Sequence, residues 1–308
     1  MTQGNALNKV KKLRELTGVG FKDCKQAIDE TNGDIEKSIE FLRKKGIAKA
    51  NKKMERVAAD GLISICEKEN KFSIIEVNSE TDFVAKNDVF IKFVEEISKL
   101  ALLNSGKIND ILISKMKNKK NVKDNLVSII AKIGEKITLR RSDCFESGKF
   151  INFSYMHLPI KKNLGKIGVI LCLETKIKKE KLLEFGKQLS MQIAASSPLA
   201  IDKDDLGQNI LEKEKEIIIE ELKNSGKDNK IIDKISTGKL NKFIADNTLL
   251  NQEWIMDPKK KVKDVLKEVA DKDKIEVRKF IRLIFPKMNI SLLKIATTGY
   301  LKKKISNH

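Results

Sequence analysis

Apolar residues recur at helical spacing through residues 5–46 and predict three short helices. The apolar positions are Leu7, Val10, Leu13 and Leu16 in the first helix, Cys24, Ala27 and Ile28 in the second, and Ile35, Ile39 and Leu42 in the third. Asp34 is expected to cap the third helix and Gly46 to end it. We therefore expect a three-helix bundle over residues 1–46, followed by a basic linker over residues 47–58.

Beyond the linker, short apolar runs alternate with amphipathic helical segments. The predicted strands are residues 62–66, 72–77, 136–141, 150–156 and 166–173, and the helical patterns cover about residues 88–103, 108–117, 122–133 and 178–195. A strand–strand–helix unit occurs twice, which indicates an internal duplication and an α+β fold class. We expect one half of this core in residues 59–145 and the first part of the other half in residues 146–202.

Residues 203–246 predict an inserted antiparallel hairpin of two charged, amphipathic helices with a turn near Asn224. Such a hairpin cannot bury both of its apolar faces unaided. It must lie on the core, pair with a second copy of the chain or bind a partner, and the sequence leaves these alternatives open.

The second half of the core is expected to resume over residues 247–286, with a helix at residues 261–271 and a final strand at residues 275–285. Residues 287–308 form a basic tail to which the pattern assigns no element.

The connection between the strand at residues 72–77 and the helix from residue 88 carries an aromatic residue beside a carboxylate, Phe83 and Asp82. A loop held by rigid elements on both sides can carry function. From the residues alone we favour a structural interpretation, in which Phe83 packs back on the helix and Asp82 caps its first turn. The alternative is that both side chains are presented to a partner.

The chain has 308 residues and a formal net charge of +19, with only 5% aromatic residues. A basic protein can bind nucleic acid or an acidic protein surface. Here the lysines are spread along the chain and interleaved with acidic residues, and clustered aromatics that could stack on bases are lacking. This pattern favours a solvated surface over a dedicated nucleic-acid face.

Candidate catalytic chemistry is sparse. The four cysteines form no CxxC pair, which argues against a disulfide framework or a zinc site and fits a reducing cytoplasm. The sequence carries no phosphate-loop, dinucleotide-binding or HExxH motif, and its two histidines are His157 and His308. We predict no catalytic residue, no bound metal and no cofactor.

Several motifs occur in the order found in the bacterial elongation factor Ts family. They occupy residues 13–25, 32–34, 43–46, 76–87, 131–135, 155–157, 165–169, 192–198 and 254–258. The chain resembles this family over about residues 6–285. The resemblance implies a ubiquitin-associated-like three-helix bundle, a two-part α+β core, an inserted helical hairpin and a C-terminal module. From residue 286 onward the sequence departs from the family pattern. The contact that the C-terminal module makes with the family's partner is therefore not expected from the resemblance.

The resemblance also implies a function. Members of this family are guanine-nucleotide exchange factors for elongation factor Tu, a GTPase, and have no catalytic chemistry of their own. The positions matching the family element that disturbs the GTPase magnesium site are Thr81, Asp82, Phe83 and Val84. Further matching contact positions are Arg14, Phe21, Lys22, Lys25, His157, Ile255 and Met256, although Phe21 and Lys22 replace methionines common in the family.

Two questions stay open alongside the resemblance. In some family members the inserted hairpin helps two copies associate, so residues 203–246 are a candidate for a homodimer or a 2:2 complex with the GTPase. The alternative function is a basic RNA-binding protein of the translation apparatus, motivated by the net charge of +19.

Overall fold

A computed structural model describes residues 3–285, except residues 54, 70, 147, 149 and 225–228. In this part the chain is a mixed α and β protein with an antiparallel sheet. The helices are α1 (Gln3–Thr17), α2 (Phe21–Glu30), α3 (Ile35–Lys53), α4 (Asp82–Ala85), α5 (Asp88–Leu103), α6 (Ile108–Ile113), α7 (Val122–Ile133), α8 (Leu183–Ser196), α9 (Gln208–Asn224), α10 (Asn229–Asn247) and α11 (Val262–Ala270). The strands are β1 (Asp60–Lys68), β2 (Lys71–Ser79), β3 (Thr138–Phe145), β4 (Phe150–Lys161), β5 (Leu164–Thr175), β6 (Glu253–Trp254), β7 (Asp257–Lys261) and β8 (Ile275–Ile284).

The first three helices enclose a small hydrophobic cluster. Its buried members are Val10, Leu13, Cys24, Ala27, Ile28 and Leu42. The predicted set of buried apolar positions was too large: Leu7, Leu16 and Ile39 were included in it but are exposed. Three short helices cover only a narrow strip of each other, so the outer apolar positions stay in solvent.

The prediction that Gly46 ends the third helix is wrong. Helix α3 continues to Lys53, so the first part of the expected linker is helical. Gly46 is buried, and a Cβ atom there would meet the Ala131 Cβ of α7 at 3.2 Å. The missing side chain therefore permits α3 to pack closely on α7, and packing outweighs the helix-ending tendency of glycine.

Six strands form the main sheet, and β5 joins its two halves. The order is β3-β2-β1-β5-β4, and β8 also pairs with β5. Strand β1 pairs only with the first residues of β5, Leu164 and Gly165. Strand β8 pairs with β5 along residues 167–175. Every pairing in this sheet is antiparallel.

Helices pack on each half of the sheet. The first hydrophobic cluster joins β1–β3 to α4–α7 and includes Val84, Ala85, Phe90, Val94 and Leu164. The second cluster joins β4, β5 and β8 to α8 and α11 around Phe185, Leu189 and Trp254. The two halves of the sheet are therefore packed against separate sets of helices.

The remaining elements agree with the predicted pattern except in two places, the first being the helix predicted at residues 108–117, which ends at Ile113 before a β-bridge between Lys115 and Asn121. Helices α9 and α10 pack on each other through Ile218, Leu222 and Ile232, as a hairpin requires. Residues 257–261, expected only to lead into a helix, form β7 and pair with β6. The predicted tail at residues 287–308 lies outside the described residues. Across the described part of the chain, no helix is both long and apolar enough to cross a membrane.

The fit of α8 against the sheet depends on Gly186. A Cβ atom at this position would fall within 3.0 Å of three ring carbons of Phe153, whereas a Cβ at Gly238 in α10 would meet nothing within 4 Å. We expect Gly186→Ala to lower the free energy of unfolding by roughly 1–3 kcal/mol through overpacking. Gly238→Ala should instead raise it by about 0.5–1 kcal/mol through helix propensity. Urea unfolding of both variants measures the difference, and equal effects would contradict the packing argument.

Candidate functional site

Phe83 lies on a single helical turn whose other side is packed into the hydrophobic core. Helix α4 connects β2 to α5, and its Val84 and Ala85 are buried in the first hydrophobic cluster. The Phe83 side chain points away from this cluster and is 78% exposed. An exposed aromatic residue on an anchored turn is a candidate contact for a partner.

The structural interpretation of Phe83 and Asp82 is wrong. Helix α5 is capped by Asn87, whose side chain accepts hydrogen bonds from the backbone N–H of Val89 (2.9 Å) and Phe90 (3.4 Å). Asp82 instead forms an exposed ion pair with Lys86 at 3.3 Å. With the cap supplied elsewhere, Asp82 and Phe83 are both left at the surface.

Two glutamates, which we call the Glu80–Glu135 pair, hold the backbone that leads into this turn. Glu135 accepts hydrogen bonds from the N–H of Glu80 (3.1 Å) and Thr81 (3.0 Å), and from the Thr81 hydroxyl (2.6 Å). Glu80 in turn accepts a hydrogen bond from the Lys136 N–H at 2.6 Å. The pair ties the end of β2 to the segment between α7 and β3.

Sequence reasoning missed the roles of Glu80 and Glu135. The two residues are far apart in the chain, and no periodicity connects them. The one available signal was that each falls inside a motif shared with the family, at residues 76–87 and 131–135.

The predicted contact residues of the N-terminal helices are exposed on either side of the turn that connects α1 to α2. Arg14 is in the last turn of α1, and Phe21, Lys22 and Lys25 are exposed on α2. Between these helices, Gly18 lines an open groove of about 380 Å³ together with Phe83, Val84, Asn87, Val89, Lys132 and Ile133. The turn between α1 and α2 and the turn carrying Phe83 therefore face one groove.

The other predicted contact residues lie in the second half of the core, His157 on the main sheet and Ile255 and Met256 on the separate β6–β7 pair. His157 is on β4 and only 8% exposed, while Ile255 and Met256 are half-buried in the turn between β6 and β7. Gln192 of α8 fixes that turn, because its side-chain oxygen accepts a hydrogen bond from the Ile255 N–H at 2.8 Å.

His157 is kept uncharged by its surroundings. Burial, with a smaller contribution from the positive charge of Arg282, lowers the pKa of His157 below the ordinary value of 6.5. Its Nδ1 lies 2.9 Å from the Tyr155 hydroxyl. A neutral imidazole can accept that hydrogen bond, whereas a protonated one cannot.

Comparison with known proteins identifies the family. The model of the family described as "Elongation factor TS" matches residues 80–285. The chain is 44% identical over 276 residues to "Elongation factor Ts" of Methylorubrum populi, covering 89% of this chain and 90% of the relative. The chain belongs to the elongation factor Ts family.

Other members of the elongation factor Ts family agree. "Elongation factor Ts" of Maricaulis maris is 39% identical over 280 residues, which is 89% of each chain. "Elongation factor Ts" of Ehrlichia ruminantium is 42% identical over 263 residues, covering 85% of this chain and 91% of the relative. These relatives do not favour the RNA-binding alternative.

Removing the charge of Glu135 should loosen the backbone before Phe83. In Glu135→Gln, the amide hydrogens of Glu80 and Thr81 lose a charged acceptor, and we expect their exchange to accelerate by roughly 10- to 100-fold. Amide hydrogen exchange followed by NMR measures this. In Glu95→Gln, a control in α5, both amides should keep their protection. Unchanged protection in Glu135→Gln would show that other contacts hold the turn.

The lowered pKa of His157 has a consequence for stability. Between the lowered pKa and 6.5 the unfolded chain binds more protons than the folded chain, so this stabilisation is present above pH 6.5 and lost as pH falls. We expect the free energy of unfolding of the wild type to decrease from about pH 7 to about pH 5 more steeply than that of His157→Gln. Urea unfolding across this range tests it, and parallel curves would contradict it.

Proposed function

We propose that this chain is a guanine-nucleotide exchange factor for elongation factor Tu and accelerates release of GDP from that GTPase. Membership of the elongation factor Ts family supports the proposal. The single observation that carries it is the 78% exposure of Phe83 on a turn anchored by Val84 and Ala85. A protein that works in translation acts in the cytoplasm of a bacterium, which we infer as its location.

Nucleotide exchange needs differential binding and no bond chemistry. A GTPase holds GDP through phosphate contacts and Mg²⁺, and a partner that prefers the nucleotide-free form weakens GDP by reciprocal coupling. A difference of about 5.5 kcal/mol in affinity moves a two-state balance from 1:99 to 99:1. On this proposal the chain is not an enzyme, and its work consists of binding one conformation of the partner.

Within the proposed contact, Phe83 enters an apolar slot beside the magnesium site of the GTPase. Asp82, exposed on the same turn, disturbs polar contacts near the metal. Thr81 and Val84 position these two side chains, because Thr81 is bonded to Glu135 and Val84 is buried in the core. The Mg²⁺ belongs to the partner and not to this chain.

The N-terminal helices supply docking contacts in this proposal. Arg14, Lys22 and Lys25 are exposed basic side chains that can steer an acidic partner surface, and Phe21, 44% exposed, adds an apolar contact. Gly18, in the turn that connects α1 to α2, lines the same groove as Phe83, which supports placing both segments at one contact region.

Further contacts are proposed at His157, Ile255 and Met256. His157 is largely buried, so it acts through the shape of the surface around it. The turn that holds Ile255 is fixed by Gln192, and Met256 packs against the second hydrophobic cluster.

The finer architecture is part of the same proposal. We infer that α1, α2 and α3 form a ubiquitin-associated-like domain, which extends past the predicted boundary at residue 46 because α3 continues to Lys53. We also infer that the two strand–strand–helix units, over residues 59–145 and from residue 146 onward, are a duplicated core. The hairpin of α9 and α10 is a candidate for association of two copies.

Truncating Phe83 should weaken binding to the partner and leave the stability of the fold almost unchanged. In Phe83→Ala we expect the affinity for elongation factor Tu to fall by about 2 kcal/mol, roughly 30-fold, and stimulated GDP release to fall with it. Because the side chain is exposed, the free energy of unfolding should change by less than about 0.5 kcal/mol. Stopped-flow release of fluorescent GDP from elongation factor Tu, combined with urea unfolding, measures both.

Leu103→Ala is the matched control, because Leu103 is 73% exposed at the far end of α5. It should stimulate release like the wild type. Wild-type rates with Phe83→Ala would refute the role of Phe83, and a wild-type protein that leaves GDP release unchanged would refute the proposed function.

A further inference from the structure

The end of the hairpin between β4 and β5 presents apolar side chains to solvent. His157 is buried, but the residues that follow it, Leu158, Pro159 and Ile160, are all exposed. Leu158 is 46% and Ile160 38% exposed. A regular strand would alternate buried and exposed positions, so the alternation is broken here.

The backbone at this point is unusual. Leu158 has φ of +49°, a left-handed conformation that bulky residues rarely adopt, and the register between β4 and β5 shifts between Pro159 and Lys161. Opposite, a Cβ atom at Gly165 would fall within 3.0 Å of the Leu158 carbonyl oxygen. Such an outlier persists only where its surroundings hold it, and outliers of this kind concentrate at functional positions.

Three contacts hold the hairpin against the first half of the core. Leu164, at the start of β5, is 2% exposed within the cluster that contains Val84 and Phe90. The carbonyl oxygen of Asn163 accepts a hydrogen bond from the Ile65 N–H at 2.9 Å. Lys161 forms an ion pair with Glu95 of α5 at 2.6 Å. The exposed apolar residues therefore sit on a fixed support.

The ion pair places this hairpin beside the helix that follows the Phe83 turn. Glu95 lies seven residues after Asp88, the first residue of α5. At 1.5 Å per residue this is about 10 Å along the helix. The hairpin and the Phe83 turn are thus both attached to α5, whose first turn carries Val89, itself 39% exposed.

We propose that Leu158 and Ile160 form a further contact with elongation factor Tu, extending the surface that begins at Phe83 across α5. This inference rests on the proposed function. The partner surface it requires is apolar at its centre, to cover the two side chains, and acidic at its edge, to face exposed Lys162. Attachment to the helix that directly follows the Phe83 turn favours the GTPase over a second copy of this chain as the occupant.

The decisive variant is Leu158→Gly, because glycine adopts φ of +49° without strain. It removes the side chain and keeps the backbone, so stability should be maintained or increased. We expect the dissociation constant for elongation factor Tu to rise by roughly three- to tenfold in Leu158→Gly, and by roughly five- to fifty-fold when Ile160→Thr is added. Titration of fluorescently labelled elongation factor Tu measures this, with urea unfolding as the check on folding.

The matched control is Leu103→Ser with Ile113→Thr, which removes two exposed apolar side chains, 73% and 72% exposed, from the same half of the core. It should bind like the wild type. Wild-type affinity in Leu158→Gly/Ile160→Thr, alongside normal stimulation of GDP release by the wild type, would overturn this inference and leave the proposed function standing. Loss of self-association by light scattering, with unchanged affinity for the GTPase, would assign the patch to a second copy and also overturn it. If the wild type neither binds elongation factor Tu nor releases GDP, both proposals fall.

Discussion

The Glu80–Glu135 pair is the interaction on which the presentation of Phe83 depends. Burying a phenylalanine side chain gains roughly 1.5–3 kcal/mol, so an unconstrained turn would fold Phe83 inward. Against this stand hydrogen bonds to carboxylates from the N–H groups of Glu80, Thr81 and Lys136. A bond to a charged group contributes about 1.5–3 kcal/mol, less where water has access. Together with the burial of Val84 and Ala85, these hydrogen bonds outweigh the free energy that burial of the Phe83 side chain would gain.

Strand β5 connects the half of the core that contains the Phe83 turn to the other half. It pairs with β1 at its start and with β4 and β8 along the rest, so both hydrophobic clusters share one backbone. Arg282 of β8 adds a cross-connection by donating a hydrogen bond to the Ala194 carbonyl oxygen of α8 at 3.0 Å. The distance between the two halves is therefore set by hydrogen-bonded strands, which deform much less easily than a linker.

The sequence was sufficient where the signal was local. Helix α5 was predicted at residues 88–103 and found there, because its apolar stripe faces one cluster. The pattern was insufficient where packing between distant segments decided the outcome. Gly46 lies inside a helix that packs against Ala131, and Phe83 faces solvent on a turn whose preceding backbone is hydrogen-bonded to Glu135, more than fifty residues away. Leu7 and Leu16 show the converse, since periodicity marks apolar positions without telling how many a small bundle can cover.

On the proposed function, rigidity explains how binding alone can promote nucleotide exchange. Binding energy gained at one contact can displace groups at another only if the body between them does not yield, since a flexible connection would relax instead. In this chain the Phe83 turn and the turn holding Ile255 and Met256 are each fixed by a buried cluster and hydrogen bonds. On the proposed function, contacts at the second turn therefore contribute to driving Phe83 into the partner, and the +19 charge steers the encounter without determining its specificity.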